Sequence, residues 1–375
     1  MDNNVRTFTD RAVALTCWLV VGLCCAAANA QAYDAGFPRP VGLESNVRFW
    51  TYVFTQLGDS SGAVHDTRNL EIIYEVLHFD SEVRPRERGR RSEAAKRRYA
   101  DILRRLASEP RDELDAEHLR VLNLWPRGTS DAELRAASSR LRYQRGLADT
   151  MLNGIIRAGA WEHEIAAILE EEGVPQELLA LPLLEAAYDP WTYSSARAFG
   201  LWQFIPSTGR MFLRIDNVVD ERMHLLEATR AAARLLKEYR SEARTWPLTL
   251  TAYNHGNGGV RRAVREVGTR DIAVIVEQYR GPSFGFASRN YYSSYLAALD
   301  VYFNAQQYFG PVRRDPPERV QYLTLTDAMR VNALSAELAV EPETLRRFNP
   351  ALKDIVWEGR ARVPAGYMLR VPDSL

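Results

Sequence analysis

The sequence predicts a mainly α-helical protein with a compact helical domain in its middle and a small α+β unit at its end. Three observations carry this. Between Trp161 and Phe309, apolar residues recur at spacings of three and four, with few strand-like alternations. Gly310-Pro311 and Pro316-Pro317 then punctuate the chain as a linker. Beyond them, two short strand-type runs enclose two short helical ones. The expected division is 1–30 as a signal segment, 31–160 as a helical N-terminal region, 161–312 as the central helical domain and 313–375 as the terminal module.

Taken in order, the first thirty residues stand apart from the fold. Arg6 and Arg11 give a basic start, an apolar run from Ala12 to Ala28 follows, and Ala28-Asn29-Ala30 supplies a small-x-small cleavage site. This reads as a secretory signal peptide. The alternatives are a retained anchor, for which the run is slightly short, and a lipid-bearing cysteine, which Leu23 before Cys24 disfavours. All three cysteines (Cys17, Cys24, Cys25) fall in this segment, so the remaining chain suits an oxidising compartment and excludes thiol chemistry. The expected location is exported, in the periplasm or cell envelope, with membrane association as an option.

Residues 31–40, with Gly36, Pro38 and Pro40, read as an extended leader, and the stretch from Leu43 to about Ala160 as helical. Within it, Arg84 to Arg105 holds ten basic residues against three acidic ones. Such a run can meet an anionic surface, but a solvated helix face is the simpler reading. The chain as a whole has 48 basic and 48 acidic residues, so no global field argues for nucleic acid.

The central domain opens with a helix from Trp161 to Glu172, stopped by Gly173. Pro175 starts a leucine-rich helix from Gln176 to about Glu185. Thr229 to Tyr239 and Asn290 to Phe309 read as two more helices, the latter carrying Tyr291, Tyr295, Leu299 and Tyr302 on one side. In the tail, Val320–Leu325 and Met368–Val371 are the strands, and Leu334–Leu338 and Pro342–Phe348 the helices. A unit of this size is marginal alone, so it is expected to pack on a neighbour or a ligand.

The chemistry concentrates in three segments. In Leu181-Pro182-Leu183-Leu184-Glu185-Ala186-Ala187-Tyr188, a glutamate lies in an apolar run near a helix end. Desolvation there would raise its pKa toward neutrality, as a proton-donating carboxyl requires. From this segment alone, an exposed helix-end glutamate is the simpler reading. Ser194 to Gly209 adds hydroxyls, Gly200, Trp202 and the amide of Gln203, a mixture suited to sugars, whose apolar faces stack on aromatics while their hydroxyls need paired partners. Thr251 to Gly259 runs from a helix into a glycine-rich turn and carries Tyr253 and Asn254, though plain helix capping explains it equally.

Together Leu181–Tyr188, Gly200–Pro206 and Ala252–Val260 resemble the catalytic domain shared by lytic murein transglycosylases and goose-type lysozymes, and most of all the membrane-bound lytic transglycosylase D group. The resemblance covers about 150 residues of 375 and implies a lysozyme-like helical fold. It implies that Glu185 is the general acid/base. Ser194 and Gln203 stand nine and eighteen residues after it, where the family places substrate contacts. Tyr253 and Asn254 match the Ala-Tyr-Asn motif, and Arg289-Asn290-Tyr291 is similar to the fourth motif. Gly200 and Tyr291 complete the implied substrate-binding set.

The chain departs from the family pattern at Ala186, where serine is usual, at Ala287, where an acid is usual, and at His255-Gly256-Asn257, where Ala-Gly-Pro is usual. The tail resembles a degenerate LysM module through Leu345, Asn349-Pro350 and Pro364 to Pro372, which implies binding of N-acetylglucosamine-containing glycans. It lacks the usual Gly-Asp opening, reading Leu325-Thr326-Asp327.

Other signals fail. Gly281-Pro282-Ser283-Phe284-Gly285 fits a hydrolase elbow by letter, but no histidine follows it. His163-Glu164 begins like a zinc-protease helix, but Ala167 stands at the second ligand. Neither metal nor cofactor is expected, and the partner implied is the peptidoglycan glycan strand. Asp189, the nearest second acid, sits beside Pro190 and reads as a turn cap. With one carboxyl, the implied reaction is cleavage of the β-1,4 bond between N-acetylmuramic acid and N-acetylglucosamine, closing a 1,6-anhydro ring. The rivals are hydrolysis of the same bond and a non-catalytic wall-binding protein.

Overall fold

The computed structural model describes residues 36–110 and 113–373; the signal segment read over 1–30 lies outside them. After a short turn the first helix, α1 (Glu44–Thr55), buries Val47, Phe49, Trp50, Val53 and Phe54 on one side. It packs against the long helix over Phe286–Phe303.

The N-terminal region is not all helical, which corrects the reading above. Strands β1 (Ser61–Asp66) and β2 (Ile73–His78) form an antiparallel hairpin. β3 (Leu141–Arg145) pairs antiparallel with the other side of β1, giving the order β2-β1-β3. The hairpin is tied by Asp66, whose buried carboxylate accepts from the backbone N–H of Arg68 and Asn69 (both 2.7 Å) and from Arg140 Nε (3.0 Å). Gly62 is required by proximity, because a Cβ there would lie 2.6 Å from the backbone oxygen of Gln144 on β3.

Helix α2 (Pro85–Leu106) crosses this sheet, with Tyr99 stacked on Tyr74 at 5.4 Å. The short helices α3 (Ala116–Leu122) and α4 (Asp131–Ala137) close a second core around Leu103, Val121 and Leu134. The basic run on α2 is a solvated face laced with local pairs, such as Arg91–Glu87, Lys96–Glu93 and Arg105–Glu109.

The main core begins with α5 (Ala148–Ala158) and α6 (Glu162–Glu171), the latter followed by Gly173 at φ +67°. The predicted helix 176–185 is split. A 3-10 turn over Gln176–Leu179 leads into α7 (Ala180–Ala186), and Ala187 and Tyr188 then take left-handed backbone at φ +46° and +53°. An irregular segment and the single turn α8 (Pro206–Gly209) lead to α9 (Leu225–Ala243), α10 (Trp246–His255), α11 (Asn257–Val267) and α12 (Ile272–Gln278).

The predicted helix 290–309 is also two pieces, α13 (Phe286–Phe303) and α14 (Ala305–Phe309), interrupted at Asn304. α13 is the axis of this core and packs against α1, α7 and α10. Among the described residues no helix is long and apolar enough to cross a membrane.

The tail folds as β4 (Val320–Thr324), α15 (Val331–Leu338), α16 (Pro342–Phe348), α17 (Asp354–Trp357) and β5 (Met368–Pro372), with β4 and β5 antiparallel. It is seated on the helical part, sharing a core with Val219 and Met223. Ala351 O accepts from Asp220 N (2.8 Å), Val218 O accepts from Lys353 N (3.0 Å), and Tyr322 donates to Glu164 (2.6 Å).

Candidate active site

Glu185 stands in the last full turn of α7, between Leu183, which is fully buried, and the left-handed pair Ala187-Tyr188. Two successive non-glycine residues in that conformation are costly, and the surroundings hold them there. Arg157 on α5 donates to Ala187 O through Nη2 (2.6 Å) and Nε (3.2 Å). Tyr188 is fully buried, donates to Leu179 O (2.7 Å) and stacks on Tyr302. The chain is thereby turned sharply away after Glu185, a residue that is itself half-buried.

The hydroxyl of Tyr291, one turn into α13, donates to Glu185 Oε1. Two influences act on this carboxyl. Burial, the larger, disfavours the charged form, and the Tyr291 bond partly opposes it; the balance pushes the pKa up from 4.5 to about 7. The tyrosines beside it are held neutral. Burial and the nearby Glu185 charge raise both Tyr291 and Tyr253 well above the ordinary phenol value. Tyr253, near the end of α10, donates to Trp202 O (2.6 Å), and the Trp202 indole donates to Thr229 (3.0 Å).

The segment 192–204 returns to the same place. Thr192 Oγ1 donates to Ala186 O at 3.4 Å. Gln203, at φ +47°, turns its amide nitrogen inward to Thr192 O (3.0 Å) and Gly200 O (2.9 Å), so the amide braces the loop. Gly200 is buried at φ +80°, and a Cβ there would lie 2.1 Å from Arg222 O. Its close approach is to the protein's own backbone. Ser194 Oγ accepts from Ala198 N (3.0 Å) in a tight turn. Asn254 is exposed, and its Oδ1 accepts from Ser288 Oγ (3.5 Å), which in turn meets His255 Nδ1 (3.0 Å).

The fold therefore brings Glu185, Tyr291, Tyr253 and the Gln203 loop together, while Ser194 and Asn254 are engaged with local partners. Asp189 Oδ1 accepts from Trp191 N (3.0 Å), so this second acid caps the next turn. Sequence reasoning missed Arg157, which fixes the turn after Glu185. It named Asn290 only as part of a motif and missed its packing role: Asn290 accepts from Asn46 (3.0 Å) and Trp50 (3.4 Å) and so locks α13 to α1. Only the asparagine inside an otherwise apolar-aromatic helix signalled the latter.

The site is one desolvated carboxyl at a helix end, bonded by a tyrosine from the central helix of a helical domain. Residues 162–276 match the Transglycosylase SLT domain family. Through this domain the chain is similar to lytic murein transglycosylases.

Among its relatives is the membrane-bound lytic murein transglycosylase D of Escherichia coli strain K12, 29% identical over 210 residues. The alignment covers 53% of this chain and 44% of that protein, so the chain spans under half the length of the curated relative. Two solved structures are similar at 18% identity. The X-ray structure of an inactive mutant of the lytic transglycosylase Slt from Pseudomonas aeruginosa gives a TM-score of 0.33, covering 61% of this chain and 33% of that one. The 70 kDa soluble lytic transglycosylase of Escherichia coli gives 0.32, covering 60% and 45%.

Proposed function

We propose that the chain is a peptidoglycan lytic transglycosylase with Glu185 as its single general acid/base. The observation that carries this is a desolvated carboxyl, with a pKa pushed up to about 7, inside an SLT domain. Near neutral pH such a group is present in both protonation states, which a residue that first donates and then accepts a proton needs.

In this reading Tyr291 occupies Oε1, so the acidic proton sits on Oε2. That proton passes to the glycosidic oxygen between N-acetylmuramic acid and N-acetylglucosamine as the C1–O bond breaks. The resulting carboxylate takes the proton of the muramyl C6 hydroxyl, whose oxygen bonds to C1. The product is a 1,6-anhydro end, with no water consumed. Acid/base assistance accounts for about 10²–10⁴-fold, and holding and distorting the sugar supplies the rest.

Ser194, Gly200, Gln203, Tyr253, Asn254 and Tyr291 form the proposed sugar-contacting shell. Exposure of the Asn254 side chain supports a direct contact with the sugar, and the inward bonds of Gln203 and the close packing of Gly200 support a role in shaping the loop. The tail, read as LysM-like, is proposed to bind wall glycan. An exported, envelope-associated location fits a wall substrate and the signal-type start of the sequence.

The test is muropeptide analysis of digested sacculi with wild type and Glu185→Gln side by side. Products one water lighter than hydrolytic ones, released by wild type and absent with the variant, are expected. Reducing-end products would make the protein a muramidase-type hydrolase. Binding to sacculi without release would make it a non-catalytic wall-binding protein, the reading that Ala186 and Ala287 favour.

A further inference from the structure

His255, one of the departures from the family pattern, closes α10, and its ring is held on three sides. It meets the Phe284 ring edge-on at 5.0 Å. Nδ1 lies 3.0 Å from Ser288 Oγ, and Nε2 rests against Gly259, where an added Cβ would come within 2.5 Å of it. Ser288 is buried in the first turn of α13, one turn before Tyr291, the residue that holds Glu185 Oε1. The imidazole is thus one hydroxyl away from Asn254, the exposed amide proposed to meet the sugar.

A neutral imidazole has two tautomers, and here they have opposite consequences for Asn254. Burial, with Arg262 as a smaller influence, lowers the His255 pKa below 6.5, so the ring is neutral at neutral pH. A serine hydroxyl has one proton to give. With Nδ1 bare, Ser288 gives that proton to the imidazole at 3.0 Å in preference to Asn254 Oδ1 at 3.5 Å. With Nδ1 protonated, the imidazole donates to Ser288 Oγ, and the hydroxyl proton is left for Asn254 Oδ1.

The surroundings favour the second form. Gly259, against which Nε2 rests, lies in the first turn of α11, whose start has no capping side chain. The leading N–H groups of a helix lack intrahelical acceptors and carry its positive end, which favours a lone pair over an N–H at Nε2. The proton then belongs on Nδ1. Once Ser288 holds Oδ1, the free end of the Asn254 amide is its NH2, a donor that suits an acceptor on the sugar.

We propose that His255 is a positioning residue: its Nδ1–H, relayed through Ser288 Oγ, turns the Asn254 NH2 toward the sugar and so selects an acetamido carbonyl over the donor-only ammonium of a deacetylated unit. The identity of the sugar rests on the proposed wall-glycan activity, whereas the relay itself does not.

Two measurements test this on the full chain. Nitrogen NMR of the imidazoles, with the His255 signals assigned by their loss in His255→Ala, should show Nδ1 protonated and Nε2 bare at neutral pH. Isothermal titration is then made in a Glu185→Gln background, with the β-1,4-linked N-acetylglucosamine tetrasaccharide and its deacetylated counterpart. His255→Ala and Ser288→Ala should each reduce the preference for the acetylated sugar by about three- to ten-fold, the scale of one neutral hydrogen bond. The double variant should lose no more than either single one, because both break the same relay. A residue that only supports the fold would leave the preference unchanged. An Nε2-protonated ring, an unchanged preference or additive losses would overturn the inference. Muropeptide release by wild type separates it from the proposed activity. Release with a preference indifferent to His255 removes the positioning role alone, and a His255-dependent preference without release removes the activity alone.

Discussion

Two buried polar regions of this protein meet the cost of burial in opposite ways. At the seam between the tail and the helical part, charges are matched with charges. Arg222, buried, forks onto Asp220 (2.7 and 2.9 Å) and donates to the carbonyls of Arg197 and Phe204. Arg370, with 10% of its side chain exposed, reaches Glu318 (2.9 Å) and Glu164 (3.3 Å). At Glu185 the one polar partner shown is the neutral hydroxyl of Tyr291, and the group responds by holding its proton. Opposite charge keeps a buried group ionised, whereas a neutral hydrogen bond in an apolar pocket leaves it protonated. The first arrangement joins two parts of a fold, and the second makes an acid available near neutral pH.

This contrast can be broken experimentally, starting with the largest effect. Glu185→Gln keeps the shape and removes the proton, so muropeptide release should fall by about 10²–10⁴-fold. Arg370→Ala should destabilise the protein by about 2–4 kcal/mol in denaturant titration, because Glu164 and Glu318 lose their counter-charge. The lower part of that range allows for Glu318, which keeps 35% of its side-chain surface.

The pH dependence of stability tests the surroundings of Glu185 directly. The folded chain holds the Glu185 proton more tightly than the unfolded chain, with a pKa of about 7 against 4.5. Its burial is therefore harmless below pH 4.5, costs stability as pH rises through that window, and carries its full cost above about 7. Glu185→Gln should accordingly raise stability at pH 8 by roughly 1–3 kcal/mol and change it little at pH 4. A melting series showing the reverse order would refute the desolvated-acid description.

Tyr291→Phe should produce the smallest change and sharpen the assignment. Removing the hydroxyl deletes the influence that lowers the Glu185 pKa, so the alkaline limb of kcat/KM should move to higher pH. Wild-type kcat/KM should fall tenfold per pH unit above about 7. A limb that stays in place with Tyr291→Phe would show that another group sets it.

Legibility in the sequence followed the physical range of each signal. Helices with regular apolar spacing, such as α6 and α9, were readable because periodicity is local. The sheet of the N-terminal region was not. Its central strand, Ser61-Gly62-Ala63-Val64-His65-Asp66, is buried on both faces yet contains few strand-forming residues. Its partner Leu141–Arg145 lies about 80 residues away and was passed over despite alternating apolar and polar side chains. The break at Asn304 was missed because the apolar pattern runs straight through it.

The sequence alone determined Glu185 and its apolar flanks, the ordered motifs around Gln203, Tyr253 and Tyr291, and the two strands and first two helices of the tail, while the third short helix, α17, was not read from it. All of these depend on residue type and short spacing. Tertiary structure alone decided that Tyr291 reaches Glu185 across 106 positions, that Arg157 clamps the left-handed turn after it, and that the tail closes a cavity against Trp161 and Trp191. Desolvation and hydrogen bonding depend on what surrounds a group in space, and the chain brings those neighbours together only when it folds.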